Sequence, residues 1–148
     1  MRKIALVVAA AATAATAVVS FSSPALAAEE VMLNAGHSSA RVEFDVIMGT
    51  DFPNARAITG GTVAAAQKRC VHLGWTAVAR GQSVRDPRLI WNGFADKVCG
   101  TDTSTVVGNV QPTRISAANN QDLVIRLEDI AAPGYHGGAK YDYHNFNR

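Results

Sequence analysis

Between Arg41 and Met48 apolar and polar residues alternate strictly. Val42, Phe44, Val46 and Met48 fall on one face and Arg41, Glu43 and Asp45 on the other. A period of two is the pattern of a half-buried β-strand. The preceding Ala28–Ala40 segment is small and polar, and its short apolar Val31-Met32-Leu33 suits an edge strand. Gly49–Gly61 carries Asp51, Pro53, Asn54 and a Gly-Gly pair, which together predict a long loop. From Thr62 to Leu73 the period changes: Val63, Ala66, Cys70 and Leu73 recur at helical spacing, with Thr62 placed to cap and Gly74 to stop. This predicts the main helix, with Cys70 on its buried face and Lys68 and His72 opposite. Trp75–Arg80 then reads as a strand ended by Gly81.

Asp86–Gly100 supports two readings. Asp86-Pro87 suits a helix start with Ile90, Phe94 and Val98 along one face, whereas Asn92-Gly93 between apolar runs is a strong two-residue hairpin signal. Glycine inside a helix costs about 1 kcal/mol relative to alanine, which favours the hairpin. Thr105–Val110 predicts a short β-branched strand. Thr113–Ala117 and Asp122–Glu128 predict a hairpin joined across Ala118–Gln121.

These elements predict an α+β fold: an antiparallel sheet of five to seven short strands with one main helix, Thr62–Leu73, packed on one face. A doubly wound parallel sheet is excluded for want of crossover helices. The chain divides into residues 1–27, a signal peptide; 28–40, a linker or edge segment; 41–130, the α+β domain; and 131–148, a tail rich in Tyr, His, Gly and Asn.

Residues 1–27 alter the picture most. Arg2 and Lys3 precede an apolar run over Ile4–Val19, and Ala25-Leu26-Ala27 offers small residues for cleavage. The run is mostly Ala and Thr and is followed by Ser22-Ser23-Pro24, which argues against a membrane anchor. The expectation is a secreted or periplasmic protein cleaved near Ala27, with no membrane span in its mature form. The net charge of +2 belongs to Arg2 and Lys3, so the mature chain carries 12 basic and 12 acidic residues. Such a balance gives no electrostatic case for nucleic acid. The nearest approach to a basic patch, Arg80, Arg85 and Arg88, reads as a solvated loop. Cys70 and Cys99, the only two cysteines, are expected to pair in an oxidising compartment.

No nucleotide-binding glycine pattern, nucleophile elbow, H-E-x-x-H or EF-hand spacing occurs. The weak catalytic candidates are His37, Glu43, Asp51 and His144. His37 with Ser38 or Ser39 and Asp45 or Asp51 has the parts of a triad, and Glu43 with Asp45 has the parts of a carboxylate pair. Plainer accounts are an exposed Gly36–Ser39 linker and a charged strand face beside Arg41. In the tail, His136, Asp142 and His144 form a weak metal set, short of the four ligands a structural zinc site requires. Tyr141 and Tyr143 alternate with Asp142 and His144, as an edge strand laying aromatics on a sheet would. The reading therefore leans away from catalysis. It expects a small secreted binding module that recognises a protein or a cell-envelope glycan through Asp51, Phe52, Asn54, Tyr141, Tyr143 and Phe146, without a cofactor. The alternatives are a small secreted hydrolase of cell-wall or extracellular polymer and a metal-binding tail protein.

Overall fold

A computed structural model describes residues 28–47, 51, 55–86, 91–93, 96–100 and 104–146. The described residues contain ten β-strands and no helix. The expected α+β class is thereby corrected to all-β. Two antiparallel sheets stack face to face around one core.

Sheet 1 is built from β1 (Glu29–Ala35), β2 (Ser38–Val46) and β3 (Arg56–Ala65), in that order, with β7 (Val106–Asn109) and β8 (Thr113–Ile115) sharing the outer edge of β3. Sheet 2 runs β10 (Lys140–Asn145), β9 (Gln121–Ala131), β4 (Arg69–Ala79), and β5 (Asn92–Gly93) with β6 (Val98–Cys99) shares the far edge of β4. Leu33, Val42, Phe44, Ile58 and Val63 from sheet 1 meet Val71, Leu73, Leu123, Ile125 and Leu127 from sheet 2 in the core. Alternation along each strand supplies this face.

The Thr62–Leu73 helix does not form. β3 ends at Ala65, the chain turns sharply through Ala66–Lys68, and β4 begins at Arg69 in the opposite sheet. Val63, Ala65, Val71 and Leu73 satisfy a period of two on either side of this corner, and all four are buried. The corner carries no glycine or proline: Lys68 itself takes a left-handed conformation (φ 61°), and the Ala66 amide donates to Ser38 Oγ at 3.0 Å. Gly74, expected to stop the helix, lies inside β4. Trp75–Ala79 continues the same strand, in agreement with the strand expected there.

Gly49–Gly61 is not a loop throughout, since Arg56–Gly61 belongs to β3. The Gly-Gly pair marks an irregularity in mid-strand. Glu43 pairs with Gly60 but Phe44 with Ile58, so Thr59 is an extra residue. Gly61 has φ 144°, and a Cβ there would stand 2.2 Å from the Arg41 carbonyl oxygen. Only glycine permits that approach.

Asn92-Gly93 is not a turn either. It is paired strand, in register with Trp75 and Gly74, and the neighbouring residues 87–90 and 94–95 lie outside the described set. β8 and β9 are not a hairpin, because they belong to different sheets and residues 116–120 carry the chain between them. Ala28–Ala40 holds β1, a two-residue turn at Gly36-His37 and the start of β2. The segment 131–148 contributes β10, in register with β9 from Lys140↔Asp129 to Asn145↔Val124.

Cys70 and Cys99 form the disulfide, at directly opposed positions of β4 and β6. The expected pairing holds, although Cys70 sits on a strand instead of a helix. The sheets also meet at one margin, where the Asn34 amide of β1 donates to Asp142 Oδ2 of β10 at 2.7 Å. That contact occupies a donor on a strand edge that would otherwise be open to pairing.

Candidate binding site

Along β9, Leu123, Ile125 and Leu127 enter the core, so Asp122, Val124, Arg126 and Glu128 project from the outer face of sheet 2. Register then dictates their neighbours. Tyr141, Tyr143 and Asn145 of β10 stand opposite Glu128, Arg126 and Val124, while His72, Gly74 and Thr76 of β4 flank the other side. Outer faces of sandwich sheets are ordinarily solvated. Here Val124 is fully buried and Arg126 is 7% exposed. The cover comes in part from Trp91, whose ring lies over Gly74: a Cβ on Gly74 would sit 3.1 Å from Trp91 Cε3.

Arg126 is stacked between aromatic rings. Its Cζ lies 3.8 Å from the Trp91 ring centroid and 5.1 Å from that of Tyr141. Glu128 stands 4.0 Å away. Burial lowers the Arg126 guanidinium from its ordinary pKa, and the Glu128 and Tyr141 charges work against that shift. Partial burial, followed by the charge and hydrogen bond of Glu128, raises the Tyr141 phenol above its ordinary value, and Arg126 opposes this. Tyr141 and Tyr143 remain 41% and 40% exposed, the outward part of this aromatic and guanidinium surface.

Beside it, the Gly81–Arg85 turn, Tyr143 and Asn145 enclose a cavity of about 280 Å³. The turn is held by the Gln82 amide donating to the Ala79 carbonyl at 2.8 Å and the Arg85 amide to Ser83 Oγ at 3.3 Å. Behind Asn145, its Nδ2 donates to the buried Asp122 at 3.2 Å, and Arg80 stands 3.7 Å from the same carboxylate.

A second cavity, of about 270 Å³, lies at the end of the sandwich between the β1–β2 turn and the segment before β10. It surrounds a buried ion pair between Arg69 and Asp129, and Arg69 Nη2 also donates to the Asp129 and Gly138 carbonyls at 3.0 and 2.8 Å. Asp129 is 1% exposed and fully engaged in closing the end of the core.

The predicted catalytic groups are dispersed. His37 lines the second cavity, Glu43 lies 3.7 Å from Arg41 on the outer side of sheet 1, Asp51 is exposed between residues outside the described set, and His144 packs edge-on against Phe146 at 4.8 Å. Neither of these two cavities gathers two of them among the described residues. Ser38 is buried and accepts the Ala66 amide, a structural duty. Asp142 and His144 do share one side of β10, but Asp142 accepts from β1 and His136 is exposed in the connecting segment. Among the described residues no three His, Cys, Asp or Glu side chains converge as a metal site. Of the predicted binding residues, Tyr141 and Tyr143 are on the surface, and Phe146 turns inward with its ring 4.8 Å from Phe44. Phe52 and Asn54 lie outside the described residues, as do Arg88 and the predicted signal peptide.

Arg126 is not singled out from the sequence; Arg85 reads there as part of a solvated loop, and Trp91 as a ring that could stack on a sugar or pack in the core. No protein-family model, curated protein or solved structure matches this chain.

Proposed function

We propose that this protein is an exported, disulfide-stapled β-sandwich that binds a cell-envelope glycan through the outer face of sheet 2. The observation that carries the reading is the row Trp91, Arg126, Tyr141 and Tyr143, laid across a sheet face on which the two tyrosines stay exposed. Aromatic rings on a rigid support present large contact area at small entropic cost, and tyrosine, tryptophan and arginine are the residues in which binding energy concentrates. A glycan suits the surface better than a protein because the exposed rings adjoin a small polar cavity and, among the described residues, no broad apolar patch. A hydrolase would need two acid or base groups in one cleft, and the named candidates sit on different parts of the molecule.

The test is co-sedimentation of residues 28–148 with purified insoluble envelope material. The double variant Tyr141→Ala/Tyr143→Ala is expected to lose at least about tenfold in retention while keeping its circular dichroism spectrum, since both rings lie outside the core. Undiminished retention of a folded double variant would overturn the assignment. Retention that survives removal of glycans, but not of proteins, from that material would make the ligand a protein.

A further inference from the structure

We infer that the cavity between the Gly81–Arg85 turn and β10 is the principal subsite of this surface and takes a carboxylate-bearing sugar residue. The inference rests on the glycan reading above and specifies its chemistry. At about 280 Å³ the cavity is near the lower end of small-ligand sites, which run from roughly 300 to 1,000 Å³, and suits one ring of a polymer.

Its lining is polar but not acidic. Gln82 accepts the Ala79 amide at 3.2 Å through Oε1, which leaves its amide nitrogen as a donor toward solvent. Ser83 and Asn145 add a hydroxyl and an amide, and Tyr143 contributes a ring to one wall. Sugars are bound by this combination of a ring for their apolar face and planar or hydroxyl groups for their hydroxyls.

The charge comes from Arg85. On this face Arg80 and Arg126 stand beside Asp122 and Glu128, but Arg85 has no ion-pair partner among the described residues. Among the described residues no carboxylate lines the cavity to neutralise it. A guanidinium presents a planar fork of donors that matches a carboxylate bidentately. Because the mature chain is balanced in charge, attraction to acidic polymers has to be local, and this cavity is where the outer face of sheet 2 holds an uncompensated cation.

Titration calorimetry of residues 28–148 with oligosaccharides of galacturonate, glucuronate and mannuronate, each beside its neutral carboxyl-reduced counterpart, tests the assignment. At least one acidic oligomer is expected to bind tenfold or more tightly than its neutral form. Arg85→Gln should erase that difference, Arg85→Lys should retain part of it, and Tyr143→Ala should weaken both forms. Equal binding of acidic and neutral oligomers, or acidic preference unchanged in Arg85→Gln, would overturn the acidic subsite and leave the glycan surface standing. Binding to none of them, with envelope retention still dependent on Tyr141 and Tyr143, would overturn it as well. Loss of tyrosine-dependent retention itself is the separate result that removes the broader reading.

Discussion

Single residues decide where this surface lies. Gly74 is in mid-strand because Trp91 occupies the space a Cβ would need, and Trp91 in turn supplies the face on which Arg126 stacks. Such stacking is worth about 0.5–2 kcal/mol depending on desolvation. Tyr141 reports on the same cluster through its ionisation. Its folded-state pKa lies above the ordinary tyrosine value, so its contribution to stability is complete below about pH 10 and is lost as pH rises through the raised value. In Glu128→Gln the carboxylate's share of the shift disappears. The phenolate absorbance of the variant should therefore rise at lower pH than that of the wild type, and superimposable curves would show that Glu128 does not act on Tyr141. At this scale the sequence was partly legible. Tyr141 and Tyr143 stand out by alternation, but Gly74 reads as a helix stop, since nothing local says that a ring will lie on it.

Elements were legible where alternation was uninterrupted and misread where two periods fit. Ser38–Val46 contains the Arg41–Val46 part of the alternating Arg41–Met48 run, whose last residue lies outside the described set, and Gln121–Ala131 contains the whole of Asp122–Glu128. Thr62–Leu73 fits helical spacing because alanine-rich sequence has high helix propensity, yet it folds as two strand ends about a corner held by Ser38, a residue 28 positions from Ala66. The corner lacks turn residues, so long-range packing has to impose it. Cysteine spacing was legible without any of this. The Cys70–Cys99 disulfide, with a sequence separation of 29, ties the short β6 to β4. By chain-entropy reasoning it contributes about 3–4 kcal/mol. Urea unfolding with and without reductant is expected to show a loss of that order, and an unchanged midpoint under verified reduction would count against it.

For the molecule as a whole, the two sheets depend on each other across the core and at the β1–β10 margin. Phe146 follows β10 into that core, where it packs edge-on to Phe44 and lies under the Arg56 guanidinium at 5.3 Å. A chain ending at Pro133 would lack β10 and Phe146. It would also open the edge of β9, an eleven-residue strand buried over most of its length. Such edges recruit other chains. We expect this truncation to lower the urea midpoint sharply and to form oligomers by size exclusion, and a monomer of wild-type stability would show that the terminal segment is dispensable. The described part of the tail is thus a structural strand with one decorated face, as the alternation of its tyrosines suggests. By itself the sequence determined the strands of unbroken alternation, the cysteine pair and the aromatic face of the terminal strand, because each depends on residue spacing within one segment. Only the tertiary structure decided the all-β class, the corner at Ala66–Lys68, and the meeting of Trp91, Arg126 and the Gly81–Arg85 turn with β10. Those depend on which strands become neighbours, and sheet pairing joins residues whose separation along the chain leaves no local signature.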